Sequence, residues 1–352
     1  MMQKAHRGNF FEDFRLGQEL VHATPRTITR GDTAVYLALY GARFPVHCSD
    51  VFARSLGYPC APLDDWLVFH MVFGRTVADI SWNAVSNLGY ADGRLGAPVY
   101  PGDTVSTTST VIGLRETSSG DTGVVYVRSV GVNQNGAMVA DYVRWVMVRK
   151  RDPEAPAPDP EVPQLPLAVS ADRLVVPDGV RLDGYDSAMA GSLALWDDYT
   201  VGERLDHVEG ATVEQAEQMM VTRLYQNNAP VHLNAQLMKD SRFGQRLVMA
   251  GHIISVVRAL SFNGLANGFR LAAINGGRHT APVFAGDTLY AWSEVLDKAT
   301  LAGRTDIGAM QVRSVATKNR SCEEYPFKNG DGRYEPSVVL DLDYTVLVPR
   351  RT

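Results

Sequence analysis

The sequence lacks the features that mark several large classes of protein. It has only three cysteines, Cys48, Cys60 and Cys322, an odd number without zinc-site or C-x-x-C spacing, so we expect buried or half-buried thiols and no metal site. No apolar run approaches the roughly 18 residues that a membrane helix needs, and the N-terminus has no signal or transit pattern. We therefore expect a cytoplasmic protein without a membrane partner.

Basic charge and nucleotide-binding motifs are also missing. The formal net charge is -5 and the sequence has no basic block, which argues against a nucleic-acid partner. A P-loop, a G-x-G-x-x-G after a strand, an H-E-x-x-H and a G-x-S-x-G are all absent from the sequence. We therefore expect no nucleotide hydrolysis, nicotinamide, zinc-protease or α/β-hydrolase chemistry, and no cofactor.

What the 352 residues do contain is an internal repeat. The repeated segments are FEDFRLGQEL (11–20) and WDDYTVGERL (196–205), LYGARFPVH (39–47) and LYQNNAPVH (224–232), and APVYPGDTV (97–105) and APVFAGDTL (281–289). The offset is 185 residues in the first two pairs and 184 in the third. A nearly constant offset of this kind indicates one fold unit written twice.

A proline-rich stretch separates the two copies. Residues 151–167 read RDPEAPAPDPEVPQLPL, a composition that favours an extended path and cannot join a sheet ladder. The sequence therefore predicts an N-terminal unit at 1–150, a linker at 151–170 and a C-terminal unit at 171–352.

Each unit combines long strands with one apolar helix. The residues after each G-D-T element alternate with period two, as strands do. The segments at 66–80 and 247–262 are apolar on nearly every side, as expected for a helix buried by its surroundings. We predict an α+β double hot-dog, in which each long helix is wrapped by a curved antiparallel sheet and the two sheets join edge to edge.

Three motifs in each half resemble those of the MaoC-like (R)-specific enoyl-CoA hydratases. That family has an overhang segment S-G-D-x-N-P-L-H, then F-G-x-P-I-A-H-G-M, and a strand entry P-V-x-x-G-D-T. The resemblance implies that water adds to the C=C bond of an enoyl-CoA thioester. It also implies an Asp and a His that hold the water, and a backbone N–H at the central helix that polarises the thioester carbonyl.

The resemblance places the family His on His232 and the family Asp on Asn227. In the first half the His falls on His47, but the Asp position is Ala42. We therefore expect the C-terminal half to work, with His232 and Asn227 as catalytic residues. An amide orients water but is no base, so His232 would transfer the proton. A carboxylate on the substrate would explain why a second negative charge is missing.

Further residues are candidates for binding the substrate. They are Ala250 and Gly251 at the start of the central helix, His47, and the arginines Arg223 and Arg278. These two arginines, and Arg43, could each hold a substrate carboxylate or be solvated. Asn227 has a plain alternative as a turn residue. Asp64 and Asp65 are expected to cap the first helix, and the alternative is that one of them supplies the missing carboxylate.

The LYQNNAPVH motif and the two-unit length most resemble the family of mesaconyl-CoA (2-methylfumaryl-CoA) hydratases, also called β-methylmalyl-CoA dehydratases. This resemblance implies a homodimeric lyase of carbon assimilation that interconverts 2-methylfumaryl-CoA plus water and β-methylmalyl-CoA. The alternatives are a hydratase of simple fatty enoyl-CoAs, an acyl-CoA thioesterase of the same fold, and a non-catalytic acyl-CoA binding protein.

Overall fold

The computed structural model describes residues 4–351. The elements of the first half are β1 (Glu19–Thr27), α1 (Arg30–Tyr40), α2 (Pro45–Cys48), α3 (Asp50–Ser55), α4 (Asp65–Arg75), β2 (Ala84–Leu95), β3 (Thr104–Glu116), β4 (Thr122–Val132) and β5 (Met138–Arg149). Those of the second half are β6 (Arg204–Thr212), α5 (Gln215–Leu224), α6 (Pro230–Leu233), α7 (Ala235–Lys239), α8 (Ala250–Leu260), α9 (Phe262–Leu265), β7 (Arg270–His279), β8 (Thr288–Leu301), β9 (Arg304–Lys318) and β10 (Val338–Pro349).

All ten strands form one antiparallel sheet with the order β1-β3-β4-β5-β2-β7-β10-β9-β8-β6. The first five strands in this order come from the first half and the last five from the second. The halves meet where β2 pairs with β7, with Tyr90 opposite Gly277 and Arg94 opposite Ala273. We call this junction the seam. It removes one exposed edge from each half, as predicted, and the α+β double hot-dog fold is confirmed.

The two central helices are buried between the sheet and each other. Helix α4 starts at Asp65 and ends at Arg75, and the rest of the predicted segment forms a π-helical turn at Val77–Ser81. Helix α8 is nearly all buried, from Gly251 to Arg258. Trp66 on α4 and Ile253 on α8 belong to one apolar core. Each such side chain contributes about 1.5–3 kcal/mol by leaving water, so the core holds the two halves together.

Equivalent histidines make equivalent bonds in the two halves. The Nε2 atom of His22 lies 2.8 Å from the hydroxyl of Ser109, and the Nε2 atom of His207 lies 2.8 Å from that of Ser293. Both histidines are buried and tie the edge strands β1 and β6 to their neighbours. Their repetition therefore reflects shared structure.

A buried chain of polar side chains crosses from one half to the other. Its members, in order of contact, are Asp64, Tyr36, Ser255, Tyr225, Tyr40 and His252, with successive distances of 3.2, 3.1, 3.1, 3.1 and 3.0 Å. Tyr40 and Tyr225 are repeat-related, and their hydroxyls touch each other. The pseudo-twofold axis that relates the halves therefore passes between these two rings.

The proline-rich stretch lies on the surface. Glu161 makes an isolated bridge with Leu114, and both of its backbone bonds are formed, at 2.8 and 2.9 Å.

The expectation for the cysteines was wrong at one position, because Cys48 is exposed at the end of a one-turn helix, whereas Cys60 is half-buried and Cys322 is buried. Within residues 4–351, no helix has both the length and the apolar character to cross a membrane.

Candidate active site

His232 lies on the one-turn helix α6 and is anchored through one ring nitrogen. Proline at the first position of α6 has no N–H to lose and starts the turn. The His232 Nδ1 atom lies 3.0 Å from the carbonyl oxygen of Leu247, so this nitrogen carries the proton and Nε2 carries the lone pair. Burial lowers the pKa of His232 below its usual 6.5, so the ring is neutral at pH 7. Nε2 has no hydrogen-bond partner in residues 4–351, and the side chain is only half-buried.

His47 has the same anchor but a closed environment. Its Nδ1 atom lies 3.3 Å from the carbonyl oxygen of Pro62, the repeat counterpart of Leu247. Its Nε2 atom, however, lies 3.8 Å from a carboxylate oxygen of Asp65, and the residue is only 3% exposed. Asp65 also accepts the backbone N–H of Leu271 at 2.9 Å and pairs with Arg270 at 3.4 Å. The first-half position is therefore filled by an internal ion cluster.

The starts of the two central helices differ. Asp64 caps α4, because its carboxylate accepts the backbone N–H of Trp66 at 2.9 Å. The counterpart cap on α8 is Met249, which makes no side-chain capping bond. The N–H of Gly251, the counterpart of Trp66, thus has no side-chain acceptor among the described residues. A free helix N-terminus attracts negative charge, and this one follows the Leu247 carbonyl that holds His232.

Asn227 is buried at the base of the overhang segment. Its side-chain oxygen accepts the N–H of Ala229 at 3.0 Å, which is the turn bond of the alternative interpretation. In the described part of the chain, nothing accepts from its side-chain NH2 group. The overhang packs on α4, because a Cβ added to Gly74 would lie 1.7 Å from the carbonyl oxygen of Tyr225. The second-half position is therefore built by both halves.

Three imidazoles with buried ring nitrogens, which no sequence pattern marks as functional, lie around this helix start. Both ring nitrogens of His279, and Nε2 of His70 and of His252, lack a hydrogen-bond partner within residues 4–351. A Cβ on Gly251 would lie 2.8 Å from Nδ1 of His70. Burial, reinforced by the neighbouring His279 and His252 rings, lowers the pKa of His70 to about 3. Burial lowers the pKa of His252 and of His279 to about 4.

These imidazoles are neutral at pH 7 and have unused hydrogen-bonding atoms beside α8. Leaving a buried polar atom unpaired costs about 1–3 kcal/mol, which makes such a group conspicuous. His252 is half satisfied, through the 3.0 Å contact of its Nδ1 atom with the Tyr40 hydroxyl, whereas the His70 ring makes no hydrogen bond with residues 4–351. The sequence does not mark His279 as a functional residue, except that it comes just before the repeated A-P-V segment.

The three candidate arginines have different surroundings. Arg223 is exposed on α5, whose Gln218 side chain contacts the His232 carbonyl at 3.3 Å. Five positions on a helix correspond to about 140° of rotation, so Arg223 lies well around α5 from Gln218 and from His232. Arg278 is exposed on β7 directly before His279. Arg43 pairs with Glu209 at 2.9 Å and is not free.

Comparisons with known proteins agree with this fold and give the family of the chain. The mesaconyl-CoA hydratase family profile matches residues 2–330. The β-methylmalyl-CoA dehydratase of Chloroflexus aurantiacus is 62% identical over all of both chains, and the mesaconyl-CoA hydratase of Cereibacter sphaeroides is 54% identical over 99% of this chain and 100% of that one.

Solved structures give the same result. A putative MaoC domain protein dehydratase from Chloroflexus aurantiacus, 62% identical, superimposes over all of both chains with a TM-score of 0.98. A double hot-dog protein from Mycobacterium tuberculosis, 25% identical, covers 97% of this chain and 98% of its own with a TM-score of 0.73. The chain therefore belongs to the mesaconyl-CoA hydratase family of MaoC-like hydro-lyases.

Proposed function

We propose that the protein catalyses the reversible addition of water to 2-methylfumaryl-CoA (mesaconyl-CoA), giving β-methylmalyl-CoA, at His232. The observation that carries this proposal is the anchored imidazole. Its Nδ1 atom is fixed on the Leu247 carbonyl and its Nε2 atom is left free beside the uncapped start of α8. The names of the two similar relatives support the substrate.

The proposed mechanism needs one base and one set of fixed donors. His232 Nε2 takes a proton from water while the water oxygen bonds to the β-carbon of the C=C bond. The resulting enolate oxygen accepts hydrogen bonds from the backbone N–H groups at Ala250 and Gly251. The imidazolium then returns its proton to the α-carbon, which restores the neutral ring. The net change is the addition of one water molecule, and the reverse sequence is the dehydration.

In this proposal the side-chain NH2 group of Asn227 donates a hydrogen bond to the negatively charged acyl group or to the water. Its oxygen is used in the turn with Ala229, so the group that faces the reaction is its NH2 donor. A donor binds a carboxylate or a water, whereas the family Asp would repel a second carboxylate. Arg278 and His279 at the end of β7 are further candidates for polar contacts with the acyl group.

Hydrolysis of the thioester is less well supported. The thioesterase alternative requires an acidic residue on a central helix to direct water, and Asp65 on α4 is in the corresponding place. Its oxygens, however, are already used by Leu271 N–H and Arg270, and the cluster is buried. Helix α8 has no acidic residue in its first turn.

The proposal also covers the domains, the oligomeric state and the cellular location of the enzyme. We propose two domains, 1–150 and 171–352, joined by the 151–170 linker, with the working site in the second. We further propose a homodimer in the cytoplasm, where acyl-CoA thioesters are made and used. Light scattering of the purified protein measures the oligomer directly, and a mass of one chain would contradict the dimer.

One assay tests the reaction. The protein is incubated with mesaconyl-CoA while the absorbance of the conjugated enoyl thioester and the release of free thiol are followed together. Hydration removes the absorbance without releasing thiol, and β-methylmalyl-CoA restores it in the reverse direction. Thiol release at the same rate as the loss of absorbance would mean thioester hydrolysis. A higher kcat/KM for crotonyl-CoA than for mesaconyl-CoA would contradict the dicarboxylic substrate.

A further inference from the structure

A patch of cations and aromatic rings lies at the rim of the second half. We call Arg242, Phe243, Phe284 and Lys318 the rim patch. The Arg242 guanidinium lies 4.5 Å from the centre of the Phe243 ring, and the Lys318 ammonium lies 5.6 Å from that of Phe284. The two rings are 5.8 Å apart and only half-buried. Lys318 also pairs with Asp287 at 3.8 Å, so Arg242 carries the unpaired positive charge of the patch.

The rim patch belongs to the segments that frame His232. Residues 242–246 lead into the Leu247 carbonyl that anchors the ring, and Val248 N–H bonds to the Val283 carbonyl, next to Phe284, at 3.0 Å. Arg246 donates to the Leu233 carbonyl at the end of α6 at 3.3 Å. The rim patch is therefore continuous with the two segments that hold His232 in place.

The first half has the same surface, but the chain covers it. At the repeat offset, Phe243 corresponds to Tyr58, Phe284 to Tyr100 and Arg242 to Gly57. A Cβ on Gly57 would lie 2.3 Å from the carbonyl oxygen of Gly179, and Tyr58 is only 4% exposed. Backbone between residues 179 and 184 closes the position, since Arg181 N–H bonds to the Leu56 carbonyl at 3.0 Å.

The second half differs from the first in the exposure and the charge of this surface. The covered copy has glycine where the open copy has Arg242, and its Tyr58 is buried, whereas Tyr100 is half-buried, as Phe284 is. In the open copy Phe243, the counterpart of Tyr58, is only half-buried. Arg242 makes no ion pair or hydrogen bond with any residue from 4 to 351. Half-exposed aromatic surface with a free guanidinium is typical of a site for a flat, anionic ligand.

We propose that the rim patch binds the phosphoadenosine end of the CoA carrier, an inference that rests on the proposed function. Adenine stacks on the exposed ring surface, because every base offers a flat π-face. Arg242 provides bidentate N–H donors for the phosphate groups. The Lys318 ammonium is positioned by its 2.6 Å bond to the Pro282 carbonyl, and Asp287, 3.8 Å away, partly offsets the positive charge that it adds.

The experiment measures binding and turnover separately. Calorimetric titration with CoA compares the wild-type protein, Arg242→Gln and Phe243→Leu, with Arg115→Gln as the matched control, because Arg115 is an exposed arginine on β3 of the other half. Kinetics compare mesaconyl-CoA with the mesaconyl thioester of pantetheine, which has the same reacting group and no nucleotide. Circular dichroism checks that each variant is folded.

The two rim variants should each raise the Kd for CoA about fivefold to tenfold, which corresponds to one lost charged hydrogen bond or stacking contact. The KM for mesaconyl-CoA should rise in step, kcat should change less than twofold, and the pantetheine thioester and the Arg115 control should be unaffected. A Kd within twofold of wild type, or an equal loss with the pantetheine thioester, would overturn the assignment.

Failure of the proposed reaction gives a different result. If the protein does not hydrate mesaconyl-CoA but CoA binding still weakens in the rim variants, the reaction is wrong and the rim patch stands. If hydration proceeds and CoA binds normally to both rim variants, the patch is wrong and the reaction stands.

Discussion

The two halves of the molecule place a histidine on the same kind of carbonyl and then use it differently. His47 faces Asp65, which is tied to Arg270 across the seam, and its helix start is capped by Asp64. His232 faces an uncapped helix start with Ala250 where the first half has Asp65. One place where the duplicated unit diverged is therefore the first turn of the central helix. The first copy stabilises the junction of the halves, and the second leaves its donors free for a ligand.

The largest effect is expected from breaking the ion cluster of the first half. Asp65→Ala would leave the buried Arg270 charge without its carboxylate, so the free energy of unfolding should fall by about 3–5 kcal/mol. Urea denaturation measures it. The double variant Asp65→Ala with Arg270→Met is the control and should recover part of the loss. A loss below about 1 kcal/mol in the single variant would show that the cluster does not hold the halves.

The second prediction is that alanine substitution of the two histidines affects different properties, kcat for His232 and the melting temperature for His47. His232→Ala should lower kcat for hydration by about a hundredfold or more, the scale of a general acid–base group, with little change in melting temperature. His47→Ala should lower the melting temperature and leave kcat within a few fold, because its ring is sealed. An equal or larger loss of kcat in His47→Ala would assign the reaction to the first half.

The pH dependence tests the state of His232. Burial holds the pKa of this histidine below 6.5, so the neutral base persists as the pH falls to that lower pKa and is lost below it. The acid limb of kcat/KM for hydration should therefore be centred below pH 6.5, with a drop of about tenfold per pH unit beyond it. A limb centred at or above pH 6.5 would contradict a neutral His232 base.

A smaller, charge-specific effect is expected at Asn227. Asn227→Asp keeps the turn oxygen for Ala229 but replaces the NH2 donor with a charged oxygen. Two charges about 5 Å apart at an effective dielectric of about 20 repel by roughly 3 kcal/mol, and a third of that changes relative kcat/KM about fivefold. Mesaconyl-CoA should lose this much relative to the neutral crotonyl-CoA. Equal effects on both substrates would leave Asn227 with a structural role only.

The smallest effect is expected from cutting the linker. Residues 151–160 are mostly exposed, so limited proteolysis should cut there before other internal segments. The two fragments should still elute together in size-exclusion chromatography, because the β2–β7 ladder and the Asp65–Arg270 pair join the halves without it. Elution as two separate fragments would contradict the continuous sheet.

The repeat and the motifs were sufficient to predict the fold, because periodicity and a constant offset are properties of the sequence itself. The position of His232 was predictable for the same reason. The Asp65–Arg270 contact was not, since the partners are 205 positions apart and meet only across the seam. Nor was the unpaired state of His279, which depends on what surrounds a strand residue in three dimensions.

The buried chain of polar side chains from Asp64 to His252 restricts the direction in which each of its hydrogen bonds can be donated. A hydroxyl has a single hydrogen, and an ionised carboxylate only accepts. Tyr36 has one hydrogen and two acceptors, Asp64 and Ser255. If Asp64 takes it, Ser255 donates to Tyr36, Tyr225 to Ser255, Tyr40 to Tyr225, and His252 Nδ1 to Tyr40. If Ser255 takes it, each later bond reverses and His252 Nδ1 accepts. A carboxylate in the first half thus competes for the hydrogen that selects the tautomer of a histidine in the second.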